Sequence, residues 1–308
     1  MQLAWPDNKK FAFTIFDDTD YATVENVGEV YRFLADLGFR TTKSVWMFTG
    51  TEAGNCPGQT CEDPAYLRWV LFLQERGFEI GYHMATWHTS SRDRTIEALD
   101  KFAGVFGSSP RVGANHSDCR ENIYWGAARI GGVSHLVYNL ATRFRYSSRY
   151  RGQVIDDPLF WGDICKERIT YWRNLVFADI NTLAACPMMP YADPERQFVN
   201  FWFASSDGSN VKLFNRCLSE ENLDRLARAG GACIMYTHFA SGFQSDRTLN
   251  PRFRQLMERL AKAGGWYVPV STLLDYLRFR SGGYVISRSE RSALERKWVL
   301  EKLWRGRT

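Results

Sequence analysis

The chain has 308 residues, 45% hydrophobic and 24% charged, with a net charge of +5. That composition excludes a disordered or fibrous chain and allows one large domain or two small ones at ~100–200 residues per domain. The charge excess is too small to argue for nucleic acid, because a surplus of six positive charges lies between Arg278 and Thr308 and the rest of the chain is close to neutral. No run of ~18 apolar residues suggests a transmembrane helix. Met1 to Lys10 is polar and lacks the apolar centre of a signal peptide, so the expected location is the cytoplasm. Seven cysteines is an odd number, and Cys56 and Cys61 stand too far apart for a metal knuckle, so free thiols are expected.

The hydrophobic period switches repeatedly between strand-like and helix-like. Phe11 to Phe16 reads as a buried strand, and Val27, Val30, Tyr31 and Leu34 then mark one face of a helix. Ser44 to Phe48 is the next strand, Tyr66 to Gln74 a helix, Phe78 to His83 a strand, Thr95 to Phe106 a helix, and Val112 to His116 a strand. A helix over Glu121 to Ile130 and a strand over Leu136 to Leu140 follow. Between Thr142 and Leu218 the rhythm weakens, with short strands near Leu175–Ile180 and Phe201–Phe203. It resumes with a helix Leu223–Ala229, a strand Ala232–His238, a helix Phe253–Ala263, a strand Trp266–Val270 and a helix Leu273–Phe279. Gly38, Gly77, Gly230 and Gly264 each follow a helix end and precede an apolar strand, the position of a left-handed cap. The pattern predicts an α/β fold with a parallel sheet closed into a distorted (β/α)7-type barrel. Residues 1–283 read as one barrel domain with 142–218 as an elaboration within it, and 284–308 as a charged C-terminal helix.

Three of the five histidines, His83, His116 and His238, close predicted strands, and the first strand ends in Asp17-Asp18. In a parallel α/β barrel those ends meet on one rim. A pair of carboxylates buried there costs several kcal/mol unless something compensates it, and a metal would. One carboxylate with two imidazoles leaves positions open for water, which suits Zn²⁺, Mn²⁺, Co²⁺ or Fe²⁺. Asp18, His83 and His88 form the candidate metal set. Asn115, His116 and Arg120 stand in a polar run after a strand and are candidates for substrate contact. A helix cap at Ser117 or Asp118 is the equally weighted alternative. Trp46, Trp87 and Trp125 fall near the rim, and Trp87 is a candidate platform for a sugar face, although core packing is the commoner use of such rings. No glycine-rich phosphate loop and no nucleophile elbow is present.

Phe13-Thr14-Ile15-Phe16-Asp17-Asp18, then Glu79-Ile80-Gly81-Tyr82-His83 with His88, then Met235-Tyr236-Thr237-His238 resembles the polysaccharide deacetylase superfamily, the NodB-homology group akin to carbohydrate esterase family 4. The resemblance spans Phe11 to Leu277. It implies metal-dependent removal of an acetyl group from an amine, on an N-acetylated small molecule or glycan. By matching position it implies Asp17 as general base, Asp18, His83 and His88 as ligands of one divalent metal (Zn first, then Mn, Co or Fe), and His238 as general acid. The chain departs from the family pattern at four places. Four residues separate His83 from His88 instead of three. Thr19-Asp20 replaces a glycine after the first motif, so Asp20 could serve in place of Asp18. Asn115 to Asn122 replaces an Arg-Pro-Pro-Tyr segment. Asp156-Asp157 and Asp179 are weak substitutes for an Asp-x-x-Asp-Trp motif. Three further readings stand beside this one: hydrolysis of a non-sugar amide or cyclic imide, a non-catalytic binding protein on the same fold, and an Fe²⁺ oxygenase.

Overall fold

A computed structural model describes residues 3–52 and 56–305. The outermost residues of the expected units, 1–2 and 306–308, lie outside the described residues. Seven parallel strands close a barrel in chain order: β1 Ala12–Asp17, β2 Thr42–Val45, β3 Glu79–Tyr82, β4 Val112–Gly113, β5 Tyr171–Phe177, β6 Phe201–Asp207 and β7 Ala232–Thr237. β7 pairs with both β6 and β1, which removes the free edge. The register sets Asp17 beside Thr237 on one side and Lys43 on the other.

Alternation along β1 divides the core. Phe11, Phe13 and Ile15 pack with Val27, Val30, Tyr31 and Leu34 of the helix Val24–Asp36, whereas Ala12 and Phe16 belong to the other buried cluster. The helix begins at Thr23, whose hydroxyl accepts from the Asn26 N–H while the Asn26 side chain accepts from the Thr23 N–H. Gly38, Gly77, Gly230 and Gly264 take positive φ between 59° and 85°, as the helix ends require. Gly113 answers a different demand. A Cβ there would stand 2.2 Å from the Trp172 ring, so only glycine lets β4 lie against β5.

Three predicted elements differ. The helix expected over Glu121 to Ile130 is absent, and only the short 3₁₀ turn Gly126–Arg129 forms. The side chains of Asn115 and Asn122 capture backbone groups of this segment, and Tyr124 and Gly126 take positive φ. The strand expected over Leu136 to Leu140 lies inside the helix Gly132–Ala141. Only Trp266 of the strand expected over Trp266 to Val270 makes a bridge, to Ala12, and Val270 already starts the helix Val270–Ser281. The stretch 142–218 supplies β5 and β6 themselves. Its rhythm reads poorly because buried polar residues interrupt both strands: Arg173 and Asn174 in β5, Ser205 and Ser206 in β6.

The C-terminal helix Arg288–Arg305 packs on β5 and on the helix Gly132–Ala141. Trp298 Nε1 donates to the Val176 carbonyl at 3.1 Å, and Arg196 links Asp193 to Glu295 in a buried ion-pair network that Arg291 extends. No helix among the described residues is long and apolar enough to cross a membrane.

Candidate active site

The C-terminal strand ends deliver the polar side chains. β1 runs into Asp18 and Asp20, β3 into His83, β4 into His116 and β7 into His238. Asp20 is the centre of the group. Its carboxylate lies 3.1 Å from His83 Nε2, 3.3 Å from His238 Nε2 and 3.7 Å from His116 Nε2. Cys56 Sγ is 3.0 Å from His116 Nε2. The ligand atoms of Asp20, Cys56 and His116 all fall within 4.8 Å of one another.

Each ring is held from behind. The His116 backbone N–H donates to Asn122 Oδ1 and its carbonyl accepts from Asn122 Nδ2, while the Asn115 side chain clamps the backbone of Ile123 in the same two-way manner. Those clamps fix the loop that points His116 inward. Trp46 stacks on His83 with ring centroids 6.1 Å apart and meets His116 edge-on at 5.5 Å. His238 donates from Nδ1 to the Ser209 carbonyl at 2.7 Å, so Nε2 is the nitrogen that faces Asp20 and Asp18.

Asp18 sits beside this group and is gripped by Arg173, whose two terminal nitrogens donate to the two carboxylate oxygens at 2.8 and 2.5 Å. The guanidinium is bedded between the rings of Phe16 and Tyr236. Burial works against ionisation of Asp18, but Arg173, His83 and His238 outweigh it and hold the carboxyl below the usual range. Asp18 Oδ2 remains 3.7 Å from His83 Nε2 and 4.0 Å from His238 Nε2.

The other expected site residues stand elsewhere. Asp17, expected as general base, is fully buried and accepts from the Tyr31 hydroxyl at 2.7 Å and the Phe239 N–H at 2.8 Å, with Lys43 Nζ at 3.1 Å. Those donors come from the helix layer, from β2 and from the loop after β7. His88, expected as a metal ligand, accepts the Thr51 N–H at Nε2 and donates from Nδ1 to the Thr89 carbonyl, both at 2.9 Å. Both ring nitrogens are thereby engaged by backbone. Asn115 spends its amide on Ile123, Arg120 is exposed, and Trp87 is buried against Trp46 with Nε1 donating to the Glu52 carbonyl. Arg173 and Cys56 were missed by sequence reasoning. An arginine beside Asn174 inside the otherwise apolar and aromatic run Tyr171 to Phe177 was the available signal for the first, and nothing in the spacing marked the second.

The Asp20 carboxylate, the His116 imidazole and the Cys56 thiol lie close enough together to fit a divalent cation of the Zn type, with His83 Nε2 3.1 Å from the same carboxylate. No family model matches the sequence. No curated protein matches it either. Solved structures do match. A protein assigned as a polysaccharide deacetylase from Mycobacterium smegmatis superposes with a TM-score of 0.56 at 12% identity, over 93% of this chain and 97% of that one. The fold is that of the polysaccharide deacetylases. A GH57-type branching enzyme from Pyrococcus horikoshii shares this deacetylase-like barrel with a TM-score of 0.50 at 10% identity, over 90% of this chain and 72% of its own. One barrel thus carries different chemistries, and the activity must be argued from the rim.

Proposed function

We propose that the chain is a divergent metal-dependent hydrolase of the polysaccharide deacetylase superfamily, removing an acetyl group from an amine on an N-acetylated sugar or sugar-linked metabolite. The observation that carries this reading is one carboxylate, Asp20, ringed by the Nε2 atoms of three histidines from three strand ends. Asp20, His83 and His116 would hold the ion, Zn first with Mn, Co or Fe as alternatives, and Cys56 stands beside them. A bound divalent ion supplies a water nucleophile near neutral pH and a polarised acyl oxygen.

The remaining roles belong to the chain's own groups. Asp18 is the general base: Arg173 keeps it ionised and fixes its plane, and its Oδ2 faces the same space as the histidines. His238 is the general acid for the leaving amine. Its Nδ1 is held by the Ser209 carbonyl and its Nε2 faces Asp18 and Asp20, the direction from which a proton is delivered. Asp17, with its oxygens taken by three donors, supports the strand end from behind.

The test is acetate release from a panel of N-acetylated monosaccharides, oligosaccharides and nucleotide-linked sugars after loading with each ion. Wild type releases acetate from at least one class, and His238→Ala is slower by roughly 10²–10⁴-fold in kcat. No release from any of them under any ion overturns the proposal.

A further inference from the structure

The helix Gly132–Ala141 is built inside out. It buries Ser134 and Asn139 and exposes Val133, Leu136 and Leu140 at 75%, 54% and 59%. At 100° per residue those three side chains fall within an arc of about 60°, with Ser134 and Asn139 flanking it on either side. Phe144, just past the helix end, is 54% exposed as well. The adjoining C-terminal helix does the same at its end: Leu300, Leu303 and Trp304 are exposed, with Trp304 at 90%, while Trp298 and Val299 are buried. Scattered exposed apolar residues are ordinary, but two rows on adjacent helices mark a contact surface.

The charge around these rows is mostly positive, with Asp118 and the half-buried Glu301 as its nearest acidic residues. From Gly132 to Tyr150 the chain contains Arg143, Arg145 and Arg149 and no Asp or Glu. A cavity of about 370 Å³ lies between the two helices, lined by Tyr138, Arg145 and Tyr146 on one side and Trp298 and Lys302 on the other, with Arg129 and Arg149. Arg149 faces Asp118 at 3.6 Å. Arg129 is nine-tenths buried, its guanidinium 3.8 Å from the Trp125 ring centroid and 4.6 Å from that of Trp298. Among the described residues no carboxylate lies within ion-pair distance of Arg129. Its Nε donates to the Gly126 carbonyl at 3.4 Å and Tyr138 hydrogen-bonds to it, so its polar atoms are engaged while its charge has no carboxylate partner in the chain and can be met by an anion at the cavity wall.

We infer that the face formed by the helices Gly132–Ala141 and Arg288–Arg305 docks on an anionic lipid surface, its apolar rows entering the headgroup boundary and the Arg129 cavity receiving a lipid phosphate. Apolar side chains, tyrosine and tryptophan rings and arginines gathered on one face, without acidic residues from 132 to 150, are what an interfacial contact requires. A protein partner would require no such one-sided charge. Ser117 and Asp118, which directly follow His116, also line the cavity. This inference stands independently of the deacetylase reading.

The full chain is sedimented with vesicles of phosphatidylcholine alone and of phosphatidylcholine with phosphatidylglycerol, and analysed for oligomeric state without vesicles. Wild type partitions onto the anionic vesicles at least about tenfold more strongly, and added salt weakens the binding. Leu136→Ser with Leu140→Ser, both at exposed positions, lowers that binding about tenfold with an unchanged far-ultraviolet spectrum and melting temperature. Arg129→Met removes the preference for the anionic vesicles over phosphatidylcholine alone. Inorganic phosphate competes with the vesicles if the cavity alone binds, and fails to displace them where the apolar rows contribute, which is the expected result. Failure to bind any vesicle overturns the inference. So does a stable dimer that the double leucine variant converts to monomer, which assigns the face to a second copy.

Discussion

Two carboxylates three residues apart at the end of β1 have opposite surroundings. Asp17 lies in the layer between barrel and helices, where Tyr31, Lys43 and the Phe239 N–H take up its oxygens. Asp20 lies on the rim, where the groups facing it are imidazole nitrogens and a neighbouring thiol. β1 ends at Asp17, whose side chain enters the helix layer, and the turn that follows carries Asp20 onto the rim, which the run of carboxylates in the sequence does not reveal. A carboxylate with all its oxygens satisfied by fixed donors is a structural element. One that faces several ring nitrogens on the rim is the candidate ligand.

That contrast can be broken by substitution. The largest expected effect is on the rim: Asp18→Asn removes the proposed base and the charge that pairs the buried Arg173, and kcat for acetate release falls roughly 10²–10⁴-fold with KM changed far less. Behind the strand the effect is on folding. Asp17→Ala leaves Lys43 buried and unpaired and lowers stability by about 3–5 kcal/mol in denaturant titration, with metal content unchanged. An activity loss in Asp17→Asn as deep as that of Asp18→Asn, at equal stability, would return the base role to Asp17.

A smaller effect tests whether burial alone controls the chemistry of the loop beneath His116. Glu121 is fully buried, and burial pushes its carboxyl up to about 8. The folded state therefore keeps a proton that the unfolded chain releases near ~4.3, so stability falls as pH rises between those values and levels off above 8. Glu121→Gln removes this slope and is more stable than wild type by roughly 3 kcal/mol near neutral pH, with no difference at pH 4. Identical pH profiles of the two proteins would contradict the assignment. His88→Ala is expected to be the mildest change, costing about 1 kcal/mol for two backbone hydrogen bonds and leaving activity within a few-fold.

The barrel was legible because its signal is periodic. Val27, Val30, Tyr31 and Leu34 all turn inward as their spacing predicts, and every glycine expected after a helix has positive φ. The histidines at strand ends were legible for the same reason, since strand ends share a rim. The Gly132–Ala141 helix was misread because periodicity assumes that apolar residues face the core, and there they face outward. β5 was blurred because Arg173 sits among aromatics, and its reason for being there, Asp18, is 155 positions away. The choice among Asp17, Asp18 and Asp20, and between His88 and His116, depends on loop geometry set by Asn115, Asn122 and Thr51, which local sequence does not encode.

The most direct test of the site is metal content by elemental mass spectrometry for the wild type beside Asp20→Asn, His116→Ala and His88→Ala, each loaded and dialysed alike. The arrangement predicts about one equivalent of ion in the wild type and in His88→Ala, and little in Asp20→Asn and His116→Ala. Metal lost in His88→Ala and retained in His116→Ala would contradict it.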